Sequence, residues 1–291
     1  MNERPAPEKN ESHLMNEITD VEFTRFQRFI YEEAGISLSP SKKALVCGRL
    51  SSRLKARQLD SYSGYFELLA SGQESREVQI AVDLLTTNET YFFREPKHFE
   101  LLRELALAAP VRAQPFRIWS AASSSGEEAY SMAMVLADCL PGRPFEVVGS
   151  DISLRVLDKA RAGHYSQQRA LHIPPAYLKR FCLKGQGEHD GTLLIDRSLR
   201  QQVKFHQVNL NTALPELGSF DVIFLRNVMI YFNGETKRQV VQRVLSALKP
   251  GGCFCIGHSE SLHEINSAVV QVAPSVYRKP VVGEVAAGAR R

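Results

Sequence analysis

Apolar residues in the first part of the chain, from about residue 17, recur at helical spacing, and no strand pattern interrupts them. The first predicted helix carries its apolar side chains on one face: Phe23, Phe26, Phe29 and Ile30. Thr19 or Asp20 is suited to cap its start, and Gly35 is suited to end it. Three further helices are predicted over about 41–58, 62–70 and 75–85. Residues 17–87 therefore predict a small all-α domain.

After Pro115 the pattern changes to strands that alternate with helices. The opening unit has a strand at 116–119, a loop of small residues at 120–126, a helix at 127–140 and a strand that ends at Asp151. Further along, the pattern gives strands at 203–208 and 220–225, a helix at 234–248, a turn at 249–252 and a strand at 253–257. A last pair, at about 269–272 and 276–278, is expected to run in reverse at one end of the sheet. This alternation predicts a parallel sheet with helices on both faces.

The region of about 163–202 breaks this alternation. A turn at 185–191 separates two short strand-like pieces, which predicts an inserted antiparallel hairpin or a small three-stranded sheet. An exposed edge of such a sheet is able to accept a peptide as an added strand. The predicted α/β domain then spans 88–280, and the polar or small-residue segments 1–16 and 281–291 are expected to be mobile tails.

Composition limits the class of protein and the cellular compartment to which the chain can belong. Of its 291 residues, 44% are hydrophobic and 23% are charged, as in ordinary globular proteins. The five cysteines are odd in number and form no C-x-x-C pair, so we expect no disulfide framework, no metal site and a reducing cytoplasm. No membrane span or signal peptide is predicted. The net charge of +4 does not call for nucleic acid.

The second predicted helix is strongly basic. Arg49, Arg53 and Arg57 recur at four-residue spacing and form a stripe, with Lys42 and Lys43 near the start of the helix. Stacked like charges weaken a helix, so the stripe favours a negatively charged partner. A solvated basic face is the alternative interpretation.

Candidate chemistry collects where the strands end, since ligands of open parallel sheets bind beyond their carboxyl ends. The small loop at 120–126 allows close approach to the backbone, and Asp151 is placed to accept hydrogen bonds from a ribose diol. Triphosphate and dinucleotide loops of the G-x-x-x-x-G-K-[ST] and G-x-G-x-x-G types are absent, and Glu128 suits a positive ligand. An ordinary βαβ crossover with a small loop is the alternative.

The polar and aromatic stretch at 86–96 fits a pocket for a flat, partly polar ligand. A linker that packs on the next domain through its aromatic residues is the other interpretation.

Five motifs together resemble the chemotaxis receptor methyltransferase (CheR) family, in the order of that family and over about residues 20–278. They are TTNETYFFRE at 86–95, WSAASSSGEEAYS at 119–131, SDI at 150–152, FDVIFLRNVMIYF at 220–232 and LKPGGCFCIGHSE at 248–260. The resemblance implies a Rossmann-like S-adenosylmethionine-dependent methyltransferase domain of the α/β class, with an inserted antiparallel β subdomain and a preceding all-α domain.

The same resemblance implies a function and a site. Methyl would pass from S-adenosylmethionine to glutamate side chains of chemoreceptors, giving methyl esters and S-adenosylhomocysteine. Residues implied to line the cofactor are Asn88, Thr90, Arg94, Glu128, Asp151, Asn209, Leu210, Asn227 and Val228. Arg94 and Tyr231 would face the transferring methyl. Receptor contacts would come from Lys42, Lys43, Arg49, Arg53 and Arg57.

Two further expectations concern partners and chemistry. The inserted sheet would dock the C-terminal tail peptide of a receptor, and the protein is expected to be a monomer that does not insert into membranes. Because a glutamate is already ionised at neutral pH, the transfer needs no general base. A non-catalytic protein that senses S-adenosylmethionine is the alternative from another functional class, and a small-molecule methyltransferase is a third.

Overall fold

A computed structural model describes residues 17–110, 114–263, 265 and 268–281. The tail predicted at 1–16 lies outside the described residues, and so does the tail predicted at 281–291 apart from its first residue. The α-helices are α1 Asp20–Ala34, α2 Lys43–Arg57, α3 Tyr62–Ala70, α4 Ser75–Leu85, α5 Lys97–Ala108, α6 Glu127–Cys139, α7 Leu154–Ala162, α8 Pro175–Phe181, α9 Arg197–Arg200 and α10 Gly234–Ser246. The strands are β1 Phe116–Ser120, β2 Phe145–Asp151, β3 His164–Ser166, β4 Cys182–Lys184, β5 Thr192–Ile195, β6 Val203–Gln207, β7 Phe220–Leu225, β8 Leu248–Ile256, β9 Val270–Ala273 and β10 Val276–Arg278.

Helices α1 to α4 form the N-terminal part of the fold. A capping box starts α1: the Thr19 hydroxyl accepts from the Glu22 N–H, and the Glu22 carboxylate accepts from the Thr19 N–H. Gly35 ends the helix with φ of 71°, a conformation that glycine adopts without a steric penalty. Phe26 is fully buried and packs against Tyr65. The prediction of an all-α N-terminal domain is confirmed.

The α/β part is built on a seven-stranded sheet in the order β6-β2-β1-β7-β8-β10-β9. Strands β6, β2, β1, β7 and β8 pair in parallel, whereas β10 runs antiparallel to β8 and to β9. Parallel strands require crossover helices, which cover both faces and leave the central strands nearly continuously apolar. The predicted parallel sheet with a reversed pair at one end is confirmed.

A second, three-stranded sheet in the order β3-β5-β4 is inserted between α7 and β6. Both pairings are antiparallel, with Tyr165 opposite Leu193 and Leu183 opposite Leu194. Of the two predicted alternatives, the three-stranded sheet is the one formed.

The predicted boundary after α10 is wrong. The helix ends at Ser246, and β8 already begins at Leu248, which pairs with Phe220. The segment taken for a turn is a bulged part of this strand, because the Gly251 N–H donates to the Lys279 carbonyl at 2.7 Å. Gly251 has φ of 78°, so the glycine marks the bulge rather than a helix stop.

Within the described ranges, every helix is too short or too polar to cross a membrane.

Candidate active site

A pocket opens at the carboxyl edge of the sheet, where the loops after β1, β2, β6 and β7 meet the segment before α5. Residues from the strand-end loops line it: Ala121, Ala122, Ser124, Glu128, Asp151, Ile152, Val208, Asn209, Leu210, Arg226, Asn227, Val228, Ile230, Tyr231 and Phe232. The remaining walls come from Ala34, Ile36, Thr86, Thr87, Asn88, Glu89, Thr90 and Arg94. All nine residues predicted to contact a cofactor therefore lie around one cavity.

Asp151 stands at the end of β2, buried in the pocket wall. One carboxylate oxygen accepts from the Ser124 N–H at 3.0 Å, and the other accepts from the Ser153 N–H at 3.0 Å. Burial raises the pKa of Asp151 to about 6, although both backbone hydrogen bonds oppose the shift. Each oxygen retains a free lone pair, so the carboxylate can also accept from a diol.

The loop after β1 is held close to the neighbouring helix. Gly126 precedes α6 with φ of 96°, and a Cβ there would lie 2.8 Å from the Cβ of Ala160. Ser124, two residues before Gly126, also has a positive φ, of 48°. Only a glycine fits at position 126, which explains why the single glycine of this loop stands there.

Glu128, near the start of α6, adds a second carboxylate to the pocket lining. Its Oε1 accepts from the Ser120 hydroxyl at 2.7 Å, and its Oε2 lies 2.9 Å from a guanidinium nitrogen of Arg226. Burial raises the pKa of Glu128, and the charge of Arg226 opposes this shift. Arg226 was not among the predicted site residues, although a charged residue directly after a buried strand was a usable signal.

Arg94 and Tyr231 both lie in the pocket wall. The Arg94 guanidinium is 5.6 Å from the centre of the Tyr91 ring and donates to the Glu89 carbonyl at 3.2 Å. Tyr231 is half-buried, and burial raises the pKa of its hydroxyl while Arg94 opposes the shift. The tyrosine is therefore protonated at neutral pH.

The helical domain contributes to the same pocket through Ala34 and Ile36. The Ser37 N–H donates to the Tyr231 carbonyl at 2.8 Å, and the Asn209 side chain donates to the Glu33 carbonyl at 2.7 Å. Sequence reasoning assigned this domain to partner contacts and missed its part in the pocket wall, because the contact joins residues nearly 200 positions apart.

The basic stripe of α2 has partners within the chain. Arg53 and Arg57 pair with Glu77 and Glu74, and Arg49 donates to backbone carbonyls at the end of α4. The negatively charged partners of Arg53 and Arg57 thus lie within this chain, so the stripe gives no evidence for an external one. Of the other two predicted contacts, Lys42 is exposed and Lys43 pairs with the exposed Asp20.

Glu260 is a site residue to which sequence reasoning gave no role. Its carboxylate accepts from the N–H groups of Asn227, Met229 and Gly257, at 2.9, 2.8 and 2.8 Å. Asn227 has a positive φ of 57°, a conformation that persists only where the surroundings hold it. Glu260 therefore shapes the loop after β7 that lines the pocket.

Glu95, His98 and His258 bring potential ligand atoms within 4.8 Å of one another beside the pocket. Burial lowers the pKa of His98 to about 4, so its ring is neutral. Arg226 lies 3.0 Å from a carboxylate oxygen of Glu95. The charge of Glu95 is therefore already paired with a cation of this chain.

The fold and this pocket define a class. In a parallel sheet, an acid at the end of β2 is suited to bind a ribose. Among the described residues, the pocket has no glycine loop of the phosphate-binding type. Glu128 offers a second carboxylate, which can pair with an ammonium group. These groups fit the amino-acid and ribose parts of S-adenosylmethionine. They define a methyltransferase of the S-adenosylmethionine-dependent α/β class.

Comparison with known proteins identifies the family within this class. The family model "CheR methyltransferase, SAM binding domain" matches residues 88–277, and "CheR methyltransferase, all-alpha domain" matches residues 21–86. The chain belongs to the CheR methyltransferase family, and S-adenosylmethionine is its cofactor.

Three relatives illustrate the similarity. A chemotaxis protein methyltransferase of Escherichia coli (strain K12) is 40% identical over 89% of this chain and 91% of its own length. Chemotaxis protein methyltransferase 2 of Pseudomonas aeruginosa is 43% identical over 89% of this chain and 93% of its own. A chemotaxis protein methyltransferase of Borreliella burgdorferi is 34% identical over 93% of this chain and 98% of its own.

Proposed function

We propose that this protein transfers the methyl group of S-adenosylmethionine to glutamate side chains of chemoreceptors in sensory adaptation. The relatives named above are chemotaxis methyltransferases, and this chain matches nearly their whole length. This similarity supports a chemoreceptor as partner. The single observation that carries the proposal is the pocket that gathers Asp151, Glu128, Arg94 and Tyr231 at the edge of the sheet.

The cofactor would be held by the residues that line this pocket. Asp151 would accept hydrogen bonds from the ribose hydroxyls, and Glu128 would pair with the ammonium group of the methionine part. The other contacts come from Asn88, Thr90, Arg94, Asn209, Leu210, Asn227 and Val228. When bound, S-adenosylmethionine supplies an electrophilic methyl group on a positively charged sulfur.

The chain's own residues then need only to position the incoming carboxylate. An ordinary glutamate has a pKa of about 4.3, so it reaches the pocket as an anion and requires no base. Arg94 and Tyr231 orient the carboxylate by charge and by hydrogen bonding, and alignment of this kind supplies several kcal/mol of a barrier.

Receptor contacts are proposed for the helical domain and for the inserted sheet. The proposed receptor contacts are Lys42, directly before α2, and Lys43, Arg49, Arg53 and Arg57 on α2. Lys42 is exposed, whereas Arg53 and Arg57 also pair with acids of this chain. Strands β3 and β4 are edges of the inserted sheet, and β4 exposes Leu183. A receptor tail peptide would add to such an edge as a further strand.

We also propose a monomeric, cytoplasmic protein. All five cysteines are free, as expected for a reducing compartment.

Labelled methyl transfer tests the proposed reaction. The protein is incubated with methyl-labelled S-adenosylmethionine and a receptor's cytoplasmic fragment, and the labelled receptor is then treated with mild alkali. A glutamate ester releases its label, and the receptor with its glutamates changed to glutamine acquires none. Label that survives alkali indicates another acceptor, and binding without any label indicates a sensor instead of an enzyme.

A further inference from the structure

Arg94 lies between two residues whose backbone is in the left-handed region: Phe93 has φ of 54° and Glu95 has φ of 57°. Non-glycine residues keep this left-handed conformation only where contacts outside the segment hold it. The Phe93 N–H donates to the Ser131 hydroxyl at 3.0 Å, and the Arg94 carbonyl accepts from a guanidinium nitrogen of Arg226. The backbone on both sides of Arg94 is therefore fixed from outside the loop.

Arg226 is the centre of this arrangement. Its side chain is 1% exposed, and its guanidinium lies 3.0 Å from Glu95 and 2.9 Å from Glu128. A buried guanidinium with planar donor geometry holds its acceptors in fixed directions. Arg226 thus connects Glu128, which lines the pocket, to the loop that carries Arg94.

Glu95 pairs with Arg226 without lining the pocket. Its side chain is 11% exposed, its second oxygen accepts from the His258 N–H at 3.2 Å, and it is not among the described residues that line the pocket. Glu95 therefore influences the site through other residues and has no direct contact with the cavity.

We infer that Glu95 is a positioning residue for the methyl transfer: it holds Arg226 against the Arg94 carbonyl and so sets the direction of Arg94. This inference rests on the proposed function, in which Arg94 orients the incoming carboxylate. Small misplacements of an orienting group lower rates strongly, whereas cofactor binding is shared with the eight other predicted contacts. The loss of Glu95 therefore affects turnover more than cofactor binding.

The test compares Glu95→Gln with Glu146→Gln. Glu146 is a matched control: its side chain is 18% exposed and pairs with Arg117 and Lys204 at the start of β2, at the other edge of the sheet. The readouts are kcat with both substrates saturating, KM for the receptor, and the calorimetric Kd of S-adenosylhomocysteine. Glu95→Gln is expected to lower kcat about tenfold or more while the Kd stays within about threefold. The Glu146→Gln control is expected to leave kcat and the Kd unchanged.

Circular dichroism shows whether Glu95→Gln folds. If it does not, Glu95→Asp keeps the charge with a shorter side chain, and a reduced kcat with an unchanged Kd is again expected. A folded variant with wild-type kcat overturns the inference, and so does an equal loss in kcat and cofactor affinity. A wild-type protein that binds the cofactor but transfers no methyl would instead remove the proposed function, and this inference with it.

Discussion

Arg53 donates two hydrogen bonds to the carboxylate of Glu77, at 2.8 and 2.7 Å, and this carboxylate is 3% exposed. Tyr65 donates a third bond to the same group at 2.8 Å. The pair connects α2 to α4, so Arg53 stabilises the domain whether or not a receptor also contacts it. If Arg53 were changed to glutamate, a loss of receptor methylation could come either from unfolding of the helical domain or from loss of receptor binding.

Replacement of Arg53 by methionine is expected to destabilise the protein. Glu77 would remain buried without its cation, and since Arg53 itself is partly exposed, we expect a loss of about 2 kcal/mol. Urea unfolding measures this loss. Lys55→Met, at an exposed position on the same helix, is the matched control and should change stability by less than about 0.5 kcal/mol. Equal stability of both variants would show that the buried pair contributes little.

A receptor role of α2 is better tested at Lys42 and Lys43. Among the described residues, Lys43 pairs with Asp20, which is nearly fully exposed, so replacement of Lys43 costs little stability. The double change to glutamate is expected to raise KM for the receptor severalfold, more strongly at low salt, and to leave the Kd of S-adenosylhomocysteine unchanged. Lys159→Glu with Arg161→Glu, in the last turn of α7, controls for the same change in net charge. Identical KM values for the two double variants would remove the start of α2 from the interface.

Cofactor binding is expected to weaken in acid because of Asp151. Its pKa in the ligand-free protein is raised to about 6 by burial, and the ionised form is the better acceptor for a diol. Below that pH binding requires loss of a proton, so the Kd of S-adenosylhomocysteine should rise by up to about tenfold per pH unit and level off above about 7. Calorimetry from pH 5 to 8 measures this dependence.

The matched variant Asp151→Asn should bind more weakly and lose this dependence. A wild-type Kd that is constant down to pH 5 would show that Asp151 does not control the site.

Turnover with both substrates saturating should be independent of pH from about 6.5 to 8.5. The glutamate substrate is ionised throughout, and burial keeps the Tyr231 hydroxyl protonated across this range. Stopped-time assays with the receptor fragment give the profile. A limb near pH 7 would reveal a titrating group, and His258→Gln would then identify whether that imidazole is responsible.

Removal of the Glu260 carboxylate should weaken cofactor binding indirectly. Three backbone N–H groups lose their acceptor in Glu260→Ala, and the loop of Asn227 and Val228 is freed. We expect about a tenfold increase in the Kd of S-adenosylhomocysteine, with a smaller increase in Glu260→Gln. Glu235→Ala, on the exposed start of α10, is the control. An unchanged Kd in a folded Glu260→Ala protein would contradict the assigned role.

Much of the fold was predictable because its signals are local. Capping by Thr19, the glycine at the end of α1 and the alternation of strands with helices each depend on neighbouring residues. Asp151 was identifiable for the same reason, since it ends a strand. Contacts between distant segments left weaker traces. The acid partners of Arg53 and Arg57, at the start of α4, became visible only in three dimensions, and so did the three N–H groups held by Glu260.

The bulge in β8 shows a second limit. Pro250, Gly251 and Gly252 are typical of a turn in isolation, yet here the strand continues through them because Lys279 supplies the hydrogen-bond partners. Local propensity was overridden by a pairing that the nearby sequence does not encode.

The most direct test of the central claim is the chemical identity of the methylated residue. Wild-type protein and Asp151→Ala are each incubated with S-adenosylmethionine and a receptor's cytoplasmic fragment, and tandem mass spectrometry then locates the modification. The predicted result is a methyl ester on glutamate side chains with wild type and none with Asp151→Ala. Methylation of a different residue type, or equal glutamate methylation by the variant, would contradict the proposed reaction or the proposed site.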